Sequence, residues 1–373
     1  MKASSLKSNI KNLYSALPKA IISTIYRRPR LLCKVLFNPS ILISESYFPE
    51  LPRKNKITII YEQVKNIIKY GSIDEYYYMY GLDVKRPVKS NEYIIYQKFK
   101  KQRDYLNLSN PHNDSAILRN KLFFEAVART LGIRTPENIA FSEFGVITEL
   151  NSSGVHEWGE FPSGVYFAKP IDGECGGGIV KFSVESSNIQ YLGEQITSHE
   201  LEKLLKEGQY IIQRQLIQHP EMERLYPKSV NTIRLTTVRN PKNGEIEILP
   251  PTLRIGAHGS YVDNFSKGGV IVAMNTNSGQ PAEWGYYKPM YGFKSQIHPD
   301  TLIKFSTFVV PFYEEVKKKA IFFHSFLNLH SIGWDIAISP EGPVFIEGND
   351  NWEINLPQTF DNPMKKEFKR LFK

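Results

Sequence analysis

The sequence predicts a mixed α+β chain, with a basic helical N-terminal region ahead of a longer part in which strands and helices alternate. Three observations predict it. Apolar residues recur at helical spacing early in the chain, β-branched runs alternate with helical patterns from about residue 116, and turn residues separate those runs. A length of 373 residues provides for two or three domains and a sizeable core. Hydrophobic residues at 41% and charged residues at 23% exclude a disordered chain. No run approaches the ~18 apolar residues of a membrane-spanning helix. The first residues lack the apolar core and cleavage site of a secretion signal. Cys33 and Cys175 are too few for a disulfide framework and favour a reducing cytoplasm.

The N-terminal region, residues 1–85, carries the excess charge. Through Lys56 there are eleven Lys/Arg against Glu45 and Glu50, a difference equal to the net charge of +9. Ile10, Leu13, Tyr14, Leu17, Ile21 and Ile25 recur at helical spacing with lysines between them. Such a helix either packs on the main domain or lies against an anionic membrane or acidic glycan. No nucleic-acid-binding module surrounds the basic residues, which argues against nucleic acid. The region closes on an aromatic run, EYYYMYGLDV.

A polar segment, LNLSNPHNDS, then reads as a connection. LRNKLFFEAVARTLG predicts a helix with Phe123, Val127 and Leu131 on one face. GVYFAKP and GGIVKFSV are β-rich runs separated by DGECG, and HELEKLLKEG is a short helix. YIIQRQLI, NTIRLTTV, IEILPPTLRIGA and GGVIVAMN are further strands. TLIKFSTFVVPFYEEVKKKAIFFHSFL reads as mostly helical, kinked or divided at Pro311. Cys175 has no histidine partner to make it a nucleophile. His219, His324 and His330 lack zinc-ligand spacing and read as structural.

IGWDIAISPEGPVFIEGND carries the first chemical signal. SPEG suits a hairpin turn. A three-residue loop, Pro340-Glu341-Gly342, places Ser339 opposite Pro343, Ile336 opposite Ile346 and Asp335 opposite Glu347. Opposed side chains share a face of the sheet, and Asn349 lies two residues beyond Glu347. Facing carboxylates repel unless a hard divalent cation joins them. Otherwise the strand ends are simply solvated. Upstream, Lys169 ends a strand and is followed by Gly173, Gly176, Gly177 and Gly178. Gly-rich backbone can approach phosphate closely, and Lys169 supplies charge.

With Lys121, the Gln213-Arg214-Gln215-Leu216 run and Asp335…Glu347-x-Asn349, the chain resembles the ATP-grasp superfamily over roughly residues 116–360. More narrowly, VNTIRLTTV, LRIG, VDNFSKGG and the closing hairpin resemble the sugar-transfer-associated ATP-grasp proteins of capsule and exopolysaccharide loci. The resemblance implies two α+β lobes gripping ATP beneath a glycine-rich β lid. Its divisions would be 86–165 for the linking lobe, 166–216 for the lid and 217–373 for the C-terminal lobe. It implies ATP and Mg²⁺ as cofactors and an ADP-forming carboxylate–amine ligase working through an acyl phosphate. The partners would be an amine or amino acid and a sugar-linked carboxylate such as a uronic acid. A ligase resembling tubulin tyrosine ligase, a phosphotransferase and a nucleotide sensor are the competing readings.

Residue by residue, the resemblance implies that Lys121, Lys169 and the loop Gly173–Gly178 hold phosphates. Gln213, with the backbone of Arg214 and Leu216, would meet adenine, and Glu221 or His219 the ribose. Asp335, Glu347 and Asn349 would hold Mg²⁺. Many ATP-grasp ligases carry an arginine two residues before the first metal carboxylate; here that position is Gly333. The oxyanion role then passes to Arg234 or Arg254, each a lone arginine in a strand-like run. Asp263, Asn264, Gly268 and Gly269 would face substrate, or else form a glycine-rich turn.

Overall fold

The computed structural model describes residues 28–87, 90–149, 161–173 and 177–373. The N-terminal amphipathic stretch from Ile10 to Ile25, Cys175 and Gly176 lie outside the described residues. The chain divides into two compact units, Met1–Phe99 with Gln358–Lys365, and Lys100–Pro357 with Lys366–Lys373.

In the first unit, α1 (Arg28–Phe37) packs on α2 (Lys56–Tyr70) through Val35, Ile67 and their apolar neighbours. The Asn55 side chain caps α2 by accepting from the Thr58 N–H at 2.7 Å. The aromatic run forms buried turns, with Tyr77, Tyr78 and Tyr80 in the interior. The Tyr77 hydroxyl donates to Glu62, which also pairs with Lys54 at 2.9 Å.

The second unit begins within α3 (Tyr96–Leu108), so the first three residues of the segment expected to be a connection are helical. The helix expected next is two: α4 (Ser115–Arg119) and α5 (Lys121–Thr130). Asn120 separates them because its side chain accepts from the Leu122 and Phe123 N–H groups, capping a new helix.

Two antiparallel sheets follow. The first contains β1 (Asn138–Glu143), β2 (Val146–Glu149), β3 (Gly164–Pro170), β4 (Val180–Glu185), β5 (Asn188–Tyr191), β6 (Glu194–Ile196) and, after α6 (Ser198–Leu204), β7 (Gln209–Arg214). Their order is β2-β1-β7-β3-β4-β5-β6, and Tyr166, Ala168, Phe182 and Ile212 sit in its core. After α7 (Pro220–Leu225) comes the second sheet: β8 (Thr232–Arg239), β9 (Ile246–Ile255), β10 (Val270–Met274), β11 (Pro281–Tyr286), β12 (Lys294–Ser295), then α8 (Tyr313–Ser325), β13 (Ser331–Ser339) and β14 (Gly342–Asn349). Its order is β12-β11-β10-β9-β8-β13-β14. Short helices α9 (Asn355–Gln358) and α10 (Lys365–Leu371) end the chain. The expected α+β architecture of two sheet-bearing lobes is present.

Pro250 and Pro251 lie inside β9, where a strand should reject them. The β8–β9 register shifts between Arg234 and Thr236, and the prolines occupy that bulge. Pro311 ends its helical pattern outright: α8 starts at Tyr313, Phe312 before it is left-handed at a φ of 56°, and Phe305–Thr307 form only a short 3-10 turn. Strand β13 is buried along its whole length. Trp334 stacks on Phe323 at 4.9 Å and meets Phe345 edge-on, while its Nε1 donates to Thr237 at 2.8 Å. Burial of each such side chain contributes about 1.5–3 kcal/mol, which makes this sheet a rigid platform for the polar residues on its other face.

Candidate active site

Asp335 lies opposite Glu347, as expected, but the hairpin reaches that pairing by a different route. The loop has two residues, Pro340 and Glu341, so Ser339 pairs with Gly342 and Ile336 with Phe345. Gly342 takes a positive φ of 117°. A bulge at Ile346 then restores the register, giving Asp335 opposite Glu347 and Gly333 opposite Asn349. The bulge moves Phe345 into the core, the place expected for Ile346, and turns Ile346 to the same cavity as the two carboxylates. Asn349 Nδ2 donates to Glu347 Oε1 at 3.1 Å.

Two guanidinium groups meet Asp335. Arg234, directly across on β8, donates from Nη2 to Oδ2 at 2.8 Å and from Nε to Oδ1. Arg254, one strand further on, donates to Oδ2 at 2.9 Å, to Asp263 at 3.0 Å and to Asn264. Thr232 donates to the other oxygen of Asp263. Burial alone would raise the Asp335 carboxyl, but Arg234 and Arg254 outweigh it and hold that group well below the carboxylate range. Burial, then the facing Asp335, pushes Glu347 up. Burial also raises Asp263, against the pull of Arg254.

Gly333 explains why no arginine stands two residues before Asp335. A Cβ there would sit 2.6 Å from the Trp352 Cβ, so any side chain must displace that indole. Arg234, cross-strand from Asp335, supplies a guanidinium to that carboxylate instead. Gly333→Ala should therefore destabilise the protein by about 1–3 kcal/mol, seen as a lower denaturation midpoint; an unchanged midpoint would show that Trp352 yields freely.

The lysines behave differently from one another. Lys121 Nζ donates to the carbonyls of Pro170, Ile171 and Gly173 at 2.9, 3.3 and 2.8 Å, pinning the start of the glycine loop to α5. Lys169 has no hydrogen-bond acceptor among the described residues. Burial lowers its ammonium to about 8, with Glu347 opposing the fall and Lys121 adding to it. A desolvated, unpaired ammonium beside a glycine-rich turn is a fitting partner for an anion.

At the end of β7, Gln213 Nε2 donates to Asn138 at 2.6 Å. The Arg214 N–H is taken by the Glu137 carbonyl at 3.0 Å and the Gln215 N–H by Val165 at 2.8 Å. The Leu216 N–H has no partner among the described residues. Glu137, which takes the Arg214 N–H, returns no N–H to the Arg214 carbonyl. One donor and one acceptor on neighbouring backbone thus face the cavity, the pattern an adenine edge requires.

These groups line one cavity of about 520 Å³ between the two sheets: Lys121, Lys169, Gly173, Gly177, Gln213, Arg214 and Leu216 on one side, and Arg254, Asp263, Asn264, Asp335 and Glu347 on the other. Besides His219, six expected residues stand off its wall, Gly178 among them. Arg234 lies beside Asp335 on the same face of the sheet but outside the lining, and Asn349 touches the site only through Glu347. Glu221 pairs with Arg224 at 2.7 Å, and Glu223, two positions on, lines the cavity instead. Gly268 packs under Tyr291, and a Cβ at Gly269 would lie 2.4 Å from the Asp263 carbonyl oxygen. Both glycines shape the turn that presents Asp263 and Asn264.

Residues the sequence did not point to also line the wall. Lys181 on β4 lies over the ring of Tyr261, in the loop between β9 and β10, at 4.8 Å. Its only signal was alternation along KFSV, and nothing marked Tyr261. The histidines are structural, as expected. His324 takes hydrogen bonds with Thr237 at 2.7 Å and Leu329 at 3.0 Å, and burial lowers it to about 4. His219 caps α7 by accepting from the Glu221 N–H at 3.1 Å, and His330 bonds the Leu371 carbonyl at 2.7 Å.

The profile of a family described as sugar-transfer associated ATP-grasp matches residues 100–369. No curated protein matches the sequence. Among solved structures, the ADP complex of PurK, an N5-carboxyaminoimidazole ribonucleotide synthetase, is 10% identical over 64% of this chain and 46% of its own, with a TM-score of 0.36. The ATP-grasp ligase PsnB, complexed with precursor peptide PsnA2 and AMPPNP, is 13% identical over 69% and 59%, with a TM-score of 0.37. D-alanine–D-alanine ligase from Helicobacter pylori is 13% identical over 69% and 58%, with a TM-score of 0.39. The chain thus spans about half the length of these structures.

Proposed function

We propose, since this chain belongs to the sugar-transfer associated ATP-grasp family, that it is an ATP- and Mg²⁺-dependent, ADP-forming carboxylate–amine ligase. The observation that carries this reading is the pair Asp335 and Glu347, facing each other at the wall of a cavity that also holds unpaired Lys169 and the Arg254 guanidinium. The Leu216 N–H and the Arg214 carbonyl would meet the adenine edge, and Lys169 the phosphates. Glu347, the carboxylate not spent on an arginine, fits a divalent cation, with Asn349 beside it and Asp335 opposite. Mg²⁺ bound there would neutralise phosphate charge during transfer.

The chemistry has two steps. A substrate carboxylate oxygen bonds to the γ-phosphorus and ADP leaves. An amine nitrogen then bonds to the acyl carbon, loses a proton, and phosphate departs with the former carboxylate oxygen. Charge accumulates on the acyl oxygen in the second step, and Arg254 is the arginine on the cavity wall that can meet it. Arg234 positions Asp335 from the neighbouring strand. Asp263 and Asn264 present oxygens to the amine or to a sugar hydroxyl. The family association points to a uronic acid or another sugar-linked carboxylate, in capsule or exopolysaccharide synthesis, as the acyl donor, with contact between the basic N-terminal region and anionic lipid.

A panel of amino acids and amines against nucleotide-linked uronic acids tests this, scored by ADP release and product mass. ADP formation requiring both a carboxylate and an amine supports the ligase. A phosphorylated product without an amine would make it a phosphotransferase, and bound ATP without turnover a sensor. Lys169 adds a pH signature. Its positive charge is lost as pH rises through about 8, so ADP affinity should weaken across that window. Lys169→Gln should bind ADP about tenfold more weakly and show a flat profile there, measured by titration calorimetry. A wild-type profile that is equally flat would remove Lys169 from the phosphates.

A further inference from the structure

We propose that the α1–α2 pair is a docking face for an anionic lipid bilayer. The helix α2 is apolar on two sides. Ile59, Gln63 and Ile67 are buried against the first unit. Ile57, Tyr61 and Ile68 are 80, 65 and 57% exposed. At about 100° per residue, the exposed three fall within about 40° of one another, on the side away from the buried three. A single exposed isoleucine is ordinary; a stripe opposite the core face is not. At the end of α1, Leu36 and Phe37 are 77 and 89% exposed. The two helices hold together through Val35 and Ile67, and Arg28 Nη1 donates to the Ile68 carbonyl at 3.2 Å.

Charge selects the occupant. Residues 28–70 contain eight Lys/Arg and three acidic residues. Of the acids, Glu62 is occupied by Lys54 and Tyr77. Lys34, Lys56 and Lys65 are exposed and have no ion-pair partner among the described residues. An acidic glycan would meet these lysines but offers nothing to Leu36, Phe37, Ile57 and Ile68. A bilayer interface with anionic headgroups accepts both sets at once. The proposal rests on reading the basic N-terminal region as lipid-facing, and it goes further by placing the contact on α1 and α2. No helix among the described residues is long and apolar enough to cross a membrane, so the contact would be interfacial.

The test is co-sedimentation of the full chain with vesicles of phosphatidylcholine alone or mixed with phosphatidylglycerol, at low and high salt. Wild type should bind the mixed vesicles, release at high salt and ignore the neutral ones. Ile57→Ser/Ile68→Ser should reduce that binding about tenfold or more with an unchanged melting temperature. A second variant, Lys7→Glu/Lys11→Glu/Lys19→Glu, separates the two ideas. If it alone loses binding while the isoleucine variant keeps it, lipid contact stands and the α1–α2 face is wrong. If wild type fails to bind mixed vesicles, both are wrong. A dimer that the isoleucine variant abolishes, without vesicle binding, would overturn the proposal in favour of self-association.

Discussion

Arg254→Lys should lower kcat by about 10²–10³-fold while leaving ADP affinity nearly unchanged, because in the proposed reaction it would remove a donor aimed at charge that develops only during reaction. The guanidinium spans Asp335, Asp263 and Asn264 at once. An ammonium preserves the charge but not the fork, so it can serve one partner and not all three. Lysine is preferable to alanine here, since deleting the charge would leave Asp263 and Asp335 under-compensated in the interior and cost about 3–5 kcal/mol of stability. Arg234→Lys is the control. It lies beside Asp335 and does not line the cavity, so its effect on kcat should be clearly smaller. Equal or reversed effects would move the oxyanion role to Arg234.

Glu347→Gln should cut turnover by about 10³-fold or more, the several kcal/mol that a cation ligand supplies, and yet not weaken the fold. Its carboxyl is raised from 4.5 by burial and by the facing Asp335. A group whose folded value is raised contributes stability that is full below its unfolded value and lost as pH rises through the folded one. At neutral pH the ionised side chain therefore opposes folding. Glu347→Gln should melt at or above the wild-type temperature at pH 7, and the gap should close as pH falls below about 4.5, the unfolded value. A cooperative loss of stability at neutral pH would instead make Glu347 a structural residue.

Much of this site was legible because strand alternation is a strict rule. Asp335 and Glu347 could be placed on one face from their order in the chain alone. That success contained two compensating slips: the turn is one residue shorter than SPEG suggested, and the bulge at Ile346 restored the count. Neither leaves a local signal, since Pro340-Glu341-Gly342 suits either loop and Phe345 and Ile346 are equally apolar. The prolines of β9 were similarly tolerable only because a bulge receives them.

Other features depend on contacts between distant segments. The empty arginine position is set by Trp352, nineteen residues after Gly333, pressing on its Cα. Which arginine reaches the cavity depends on how the second sheet presents β8 and β9, and both read alike as lone arginines in strands. Glu221 and Glu223 share one helical turn, and only the orientation of α7 turns the second toward the cavity. Lys181 on β4 and Tyr261 in the β9–β10 loop are eighty residues apart, so neither could be found from its own neighbours.

The central claim is that this cavity activates a carboxylate. Once the panel has identified a turned-over carboxylate, that acid can be labelled with heavy oxygen and the released phosphate analysed by mass. An acyl phosphate requires one labelled oxygen to leave with each phosphate, and that is the predicted result. Unlabelled phosphate, with the label retained in product, would contradict carboxylate activation and with it the assignment of Arg254 and Glu347.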